Sequence, residues 1–181
     1  MNLPNKLTLT RVFMIPFFIF FMLYEGFAWG KYAACALFIV ASLTDALDGY
    51  IARKYQLITN FGKFMDPLAD KLLVCSALIC FVAKGPDYLP AWAAIIIVAR
   101  EFIISGFRLV ASDNGIVIAA SYWGKVKTVS QMLMSILLIL HLDIPAYHIV
   151  EQIFIYLSVA LTIISLVDYL FKNKDVLKEQ K

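Results

Sequence analysis

Six long apolar blocks, separated by short turn-forming segments, run through the whole chain. They cover residues 7–24, 32–53, 64–83, 89–110, 123–142 and 149–171. The segments between them contain residues that favour turns, including Gly26, the Gly85-Pro86 pair and Pro145. Each block has about the 20 residues that a membrane-spanning helix needs. The pattern therefore predicts an all-α integral membrane protein with six transmembrane helices, a short N-terminal interfacial segment and a single domain over residues 1–181.

The composition favours the same fold and excludes most classes of soluble protein. Of the 181 residues, 62% are hydrophobic and 16% are charged, whereas a soluble domain has about 45–50% and about 25%. A chain of this size cannot bury so much apolar surface in one core. The three cysteines, Cys35, Cys75 and Cys80, lie inside apolar blocks and form no CxxC pair. We interpret them as buried hydrophobic residues and expect no zinc site.

Charged residues are distributed unequally along the predicted helices. If both termini lie on one side of the membrane, only Lys31 and Lys84 of the sixteen basic residues fall on the other side. The positive-inside rule then places both termini in the cytoplasm of a multi-pass protein of the cell membrane. Ionisable residues also lie in the cytoplasmic halves of the middle blocks. Because such groups are costly in lipid and face wet cavities, the pattern predicts a polar cavity open to the cytoplasm.

Four aspartates form two pairs at helical spacing. Asp45 and Asp48 are three residues apart, and Asp66 and Asp70 are four apart, so each pair lies on one face of its helix. Four converging carboxylates favour divalent cations such as Mg²⁺ or Mn²⁺, and two such ions form a clamp for phosphate chemistry. The alternative is that the aspartates cap helices or pair with nearby cations, and Asp66, which precedes Pro67, fits an N-cap.

The segment from Asp45 to Asp70 resembles the signature of the CDP-alcohol phosphatidyltransferases. The signature D-x2-D-G-x2-A-R-x8-G-x3-D-x3-D is matched by Asp45, Asp48, Gly49, Ala52, Arg53, Gly62, Asp66 and Asp70. The resemblance implies a six-helix membrane enzyme that is usually a homodimer.

The same resemblance implies roles for the matched residues. Two divalent cations, Mg or Mn, would be held by Asp45, Asp48 and Asp66. Asp70 would act as the general base or an additional ligand. The CDP group would be received by Asp45, Asp48, Gly49, Ala52, Arg53 and Gly62. Asn5 and Thr8, which share a helical face with Arg11, would lie near the entrance for the nucleotide or headgroup. The alternative for this face is amphipathic anchoring at the membrane surface.

Stretches outside the signature resemble the branch of this family that uses glycerol 3-phosphate as the acceptor alcohol. They read NLPNKLTLTR, GKFMDPLADKLL, AREFIISGFRL and IAASYWGKVKT. The resemblance implies a reaction of CDP-diacylglycerol with glycerol 3-phosphate. A phosphate monoester needs a cationic pocket, and the candidate cations are Arg108, Lys125, Lys127, Arg11 and Arg100. Glu101 is expected to pair with a neighbouring cation or to orient it.

Two alternatives remain open from the sequence. Within the family, the acceptor could be serine, inositol or inositol phosphate. Outside it, a cation carrier would also place acids in membrane helices, although here the acids cluster at one side of the bilayer. The expected partners are the membrane, CDP-diacylglycerol, glycerol 3-phosphate and a second copy of the chain, with no nucleic acid.

Overall fold

The described part of the chain folds into six α-helices in the computed structural model. They are α1 (Leu3–Leu23), α2 (Gly30–Lys54), α3 (Asn60–Lys84), α4 (Ala91–Asp113), α5 (Tyr122–Leu140) and α6 (Pro145–Lys172). The structure describes the backbone of residues 3–54, 60–113, 118 and 121–174, and their side chains except at 3–4, 45–50, 52–54, 60–64, 66–67 and 113. These ranges contain no β-strand. For these residues the predicted all-α class and the number of helices are confirmed.

Two helix ends show why the turn-forming residues predicted the boundaries well. Gly85 follows the last residue of α3 with a φ of 122°, a conformation that glycine adopts at little steric cost. Pro145 is the first residue of α6 and follows Ile144, whose backbone is extended. Proline is favoured at this position because its missing N–H has no partner there in any helix.

Contacts divide the chain into two compact units. Unit 1 comprises Met1–Tyr88 with Ile136–His141, and unit 2 comprises Leu89–Ser135 with Leu142–Lys181. In unit 1, α1 packs against both α2 and α3. The buried face of α1 consists of Asn5, Thr8, Arg11, Ile15, Phe18 and Met22. This face is therefore polar in the first half of the helix and apolar in the second.

Unit 2 is built around the packing of α4 against α6. Ile104, Phe107 and Tyr169 form its buried hydrophobic cluster. On α6, the small hydroxyl residues Ser158, Thr162 and Ser165 are all fully buried, and we call them the hydroxyl stripe. The Ser158 hydroxyl lies 3.0 Å from that of Ser130 on α5. Small residues of this kind let helix backbones approach closely in lipid, where apolar burial gives no drive for association.

Large apolar side chains are exposed on every helix. Examples are Phe13 on α1, Leu43 on α2, Ile79 on α3, Ile95 on α4, Val129 on α5 and Ile153 on α6. Contiguous exposed apolar surface marks a membrane or protein interface. In the described part of the chain, the segments Asn5–Leu23 and Pro145–Lys172 are long and apolar enough to cross a bilayer. These features favour a helical membrane protein.

Candidate active site

The signature aspartates lie on two helices that are consecutive in the chain. Positions 45 and 48 are in the C-terminal half of α2, and positions 66 and 70 are in the N-terminal half of α3. Only residues 55–59 separate the two helices, and α2 contacts α3. The acid-bearing ends of both helices are therefore held at the same end of unit 1.

Asp70 is the only one of the four aspartates whose side chain the structure describes. Its side chain is exposed, whereas the neighbouring Ala69 is fully buried. The Asp70 carboxylate is therefore not enclosed by the packed helices. The side chains of Asp45, Asp48, Gly49, Ala52, Arg53, Gly62 and Asp66 lie outside the described residues, so their roles stay predictions.

The polar face of α1 turns inward. Asn5 is 6% exposed, and Thr8 and Arg11 are fully buried. A buried arginine is rare unless its charge is compensated, and buried polar groups in a membrane helix mark functional positions. This burial favours the interpretation that the face belongs to a site over amphipathic anchoring at the membrane surface.

A buried ionic cluster joins the three helices of unit 2. The Arg100 Nη1 atom lies 3.3 Å from Glu101 Oε1, and Lys127 Nζ contacts the same carboxylate oxygen. The Arg100 Nε–H group donates to Ser165 Oγ at 3.2 Å. We call Arg100, Glu101, Lys127 and Ser165 the Glu101 cluster. It confirms the expectation that Glu101 pairs with neighbouring cations.

The Glu101 cluster is shielded from solvent and carries excess positive charge. The exposed fractions of its charged side chains are 10% for Arg100, 18% for Glu101 and 3% for Lys127. Buried charges are tolerated only when they are paired. Two cations share one carboxylate here, which leaves a formal charge of +1 among these three groups.

The start of α5 lies beside the Arg100 guanidinium. Gly124 N–H donates to Ser121 Oγ at 3.1 Å, so Ser121 caps the helix. A Cβ atom at position 124 would lie 3.5 Å from Arg100 Nη2. The small size of Gly124 therefore leaves room next to this edge of the guanidinium.

Arg108 is held separately from the Glu101 cluster, two turns further along α4. Its Nε–H group donates to the Tyr169 hydroxyl at 3.4 Å, and its guanidinium lies 5.7 Å from the centre of the Tyr169 ring. That ring is 2% exposed and meets Phe107 edge to face at 5.7 Å. The arginine side chain itself is exposed. Tyr169 thus fixes the position of the exposed Arg108 guanidinium.

The structure brings together only part of the predicted cation set. Arg100 and Lys127 meet through Glu101, whereas Arg108 packs on Tyr169. Lys125 has an exposed side chain at an apolar groove between α5 and α6. Arg11 is buried in unit 1.

Ser165 and Tyr169 were not among the predicted site residues. Both contacts join residues more than 60 positions apart in the chain. The only local signal is that the two residues lie four apart on the same face of α6.

The chain is similar to known proteins over most of its length. The family model for CDP-alcohol phosphatidyltransferases matches residues 1–164. A protein of Bacillus subtilis named CDP-diacylglycerol–glycerol-3-phosphate 3-phosphatidyltransferase is 45% identical over 98% of this chain and 97% of its own length. A Haemophilus influenzae protein of the same name is 39% identical over 93% and 91%. A probable phosphatidylglycerophosphate synthase of Mycobacterium tuberculosis is 39% identical over 93% and 79%.

Proposed function

The chain belongs to the CDP-alcohol phosphatidyltransferase family, and on this premise we propose that it transfers the phosphatidyl group of CDP-diacylglycerol to glycerol 3-phosphate. The products are phosphatidylglycerol phosphate and CMP. The observation that carries the choice of acceptor is the 45% identity to the Bacillus subtilis enzyme over nearly the full length of both chains. The cation-rich unit 2 supports an acceptor that carries its own phosphate.

The signature aspartates fit a divalent metal centre by their chemistry. Carboxylate oxygens are the ligands that Mg²⁺ and Mn²⁺ prefer, and the sequence places four of them on two contacting helices. Asp45, Asp48, Asp66 and Asp70 would hold two such ions. When bound, the ions would neutralise the charge of the diphosphate and of the departing CMP.

Asp70 is the residue that we assign to proton transfer. Its exposed carboxylate accepts the proton of the glycerol 1-hydroxyl as that oxygen attacks the phosphorus of the phosphatidyl group. The new P–O bond joins glycerol 3-phosphate to the lipid, and the bond to the CMP oxygen breaks. Gly49 and Ala52 leave space for the nucleotide, and Arg53 adds a positive charge near its phosphates. Most of the rate enhancement comes from positioning and electrostatics, as in other phosphoryl transfers.

The acceptor phosphate is assigned to cations of unit 2. Arg100, Lys127 and Arg108 are anchored by Glu101, Ser165 and Tyr169, so their side chains lose little entropy on binding an anion. Guanidinium groups also match two phosphate oxygens at once. Lys125 completes the proposed set in unit 2, and Arg11, which lies in unit 1, stays a separate prediction from the sequence. Serine and inositol carry no phosphate and would not require these charges.

The membrane topology is part of the same proposal. All six helices would cross the bilayer as one domain, with both termini and the polar ends of α2 and α3 facing the cytoplasm. The excess of basic residues on that side supports this orientation. We also propose a homodimer, as the family resemblance implies.

The acceptor is tested by CMP release from the purified chain in lipid with CDP-diacylglycerol and Mg²⁺. We expect release with glycerol 3-phosphate, none with serine or inositol, and loss of release after EDTA that is restored by added Mg²⁺. Release with inositol phosphate instead would keep the chemistry and overturn the acceptor. Metal-independent release would contradict the role of the four aspartates.

Replacement of Tyr169 by Phe tests the anchoring of Arg108. The variant keeps the aromatic ring but removes the hydroxyl that accepts from Arg108 Nε. Because a hydrogen bond to a charged group contributes about 1.5–3 kcal/mol, we expect KM for glycerol 3-phosphate to rise roughly tenfold with little change in kcat. Arg108→Gln should raise KM further. Tyr156→Phe, on the exposed side of α6, is the matched control. An unchanged KM in Tyr169→Phe would contradict the anchoring role.

A further inference from the structure

The end of unit 1 opposite the aspartates contains two basic residues that the proposed reaction does not use. Lys31 is at the start of α2, and Lys84 is the last residue of α3. The other basic residues of unit 1 lie toward the opposite helix ends, at positions 6, 11, 53, 54, 63 and 71. Along α3, Lys84 is about 21 Å from Asp70 at 1.5 Å per residue. The two lysines are therefore separate from the proposed catalytic residues.

Lys31 and Lys84 line the same cavity. It has a volume of about 140 Å³, and Tyr24, Glu25, Phe27 and Tyr88 also border it. We call it the basic cavity. Its volume corresponds to roughly four or five water molecules at 30 Å³ each, which is enough for a phosphate group. Two lysines and one glutamate give its lining a formal charge of +1.

Lys84 is held in place at the basic cavity. Its ammonium group lies 5.4 Å from the centre of the Tyr88 ring, and that ring stacks on His141 at 3.8 Å. The Lys84 side chain is only 18% exposed. Long lysine side chains normally extend to solvent, so this arrangement presents a preorganised cation to the cavity.

The carboxylate at the basic cavity is a weak competitor for an external anion. Glu25 Oε1 is 3.7 Å from Lys84 Nζ, and the Glu25 side chain is 87% exposed. Because Glu25 is so exposed, water screens its attraction to Lys84, and the pair contributes little free energy. A ligand with several anionic oxygens could engage both lysines, since each ammonium group has three donors.

Exposed aromatic rings surround the turn that leads from α1 into α2. Phe20, Tyr24, Phe27 and Trp29 are all exposed and lie in contact with one another. The two amphipathic rings among them, Tyr24 and Trp29, are of the type that lies at the level of lipid headgroups. They would flank the glycerol and upper acyl segments of a lipid whose phosphate occupies the basic cavity.

We infer that the basic cavity binds a phosphate anion between Lys31 and Lys84, at the membrane surface opposite the catalytic end. The phosphate can come from an anionic phospholipid headgroup or from free phosphate. The site is independent of the proposed reaction, because its residues do not include any that bind the substrates or move the proton.

Native mass spectrometry of the full chain in detergent tests the site. Phosphatidylglycerol and zwitterionic phosphatidylcholine are titrated against the wild type and Lys31→Gln/Lys84→Gln. Because lysines near an anionic headgroup each contribute to attraction, we expect the double variant to need about tenfold more phosphatidylglycerol for the same retention. Lys6→Gln/Lys174→Gln removes the same charge elsewhere and should bind as the wild type. Equal loss in both double variants would overturn the inference.

Two further experiments distinguish a misfolded variant from a lost site, and lipid phosphate from free phosphate. Glu25→Gln removes the competing carboxylate and should strengthen phosphatidylglycerol retention about twofold to fivefold; unchanged or weaker retention would contradict the site. Inorganic phosphate is added to the lipid-free protein while thermal unfolding is followed. Stabilisation of the wild type but not of Lys31→Gln/Lys84→Gln identifies free phosphate as a ligand. If neither phosphatidylglycerol nor inorganic phosphate binds the wild type at these lysines, the inference fails.

Discussion

Replacement of Asp70 by Asn is expected to lower the rate of CMP release by a factor of about 10²–10⁴, the range typical for loss of a general base. The amide has nearly the same shape but cannot accept the proton of the acceptor hydroxyl, and it is a poorer ligand for a divalent cation. Asp70 is exposed on α3, so the substitution leaves the packing of Ala69 and Leu73 intact. CMP release from protein in lipid, at saturating glycerol 3-phosphate, measures the loss.

Asp87→Asn is the matched control for this substitution. Asp87 is also exposed and lies beyond the opposite end of α3, so its loss should leave the rate unchanged.

A pH–rate profile separates two roles of Asp70. Loss of a base flattens the acidic limb of the profile, whereas loss of a metal ligand is relieved by more Mg²⁺ or Mn²⁺. Retention of more than a tenth of the activity by folded Asp70→Asn would remove Asp70 from the mechanism.

Replacement of Glu101 by Gln is expected to destabilise the protein by about 3–5 kcal/mol, the range for breaking a buried ion pair. Arg100 and Lys127 share this carboxylate, and the Lys127 side chain is only 3% exposed. The glutamine leaves both cations in place and raises the formal charge of the cluster from +1 to +2. We expect the midpoint of thermal unfolding in detergent to fall by on the order of 10 °C.

A second substitution distinguishes charge imbalance from a simple packing defect. Glu101→Gln/Lys127→Met returns the formal charge of the cluster to +1 and should recover most of the lost stability. Ser165→Ala removes only the hydroxyl that accepts from Arg100 Nε, and a loss of about 1 kcal/mol is expected. Additive losses in the double variant would show that the charge of Glu101 is not what stabilises the cluster.

The positions of the helices followed from the sequence because each helix has its own local signal. A long apolar block marks every one of the six helices, and Gly85 and Pro145 mark two of their ends. The placement of the four signature aspartates on two consecutive helices also followed from a local signal, because their spacing lies within 26 residues.

The contacts of the cations could not be predicted in the same way. Arg100 and Arg108 lie on one helix, yet one binds Glu101 and Ser165 and the other packs on Tyr169. Their partners on α6 are 65 and 61 residues away along the chain, with the whole of α5 between them, so only tertiary packing defines them. The convergence of Lys31 and Lys84 on one cavity has the same origin. In the sequence they are only the two basic residues that fall outside the side predicted to be cytoplasmic.

The hydroxyl stripe of α6 also constrains how the chain can change in length. Ser165, at the end of the stripe, contacts Arg100, and Tyr169, four residues further on the same face, contacts Arg108. Insertion of one residue before Ser165 would rotate both of them by about 100° relative to the start of the helix. The two arginines would then lose their partners together. An insertion between Ser158 and Ser165 is therefore expected to break both contacts, whereas one after Tyr169 leaves them in register.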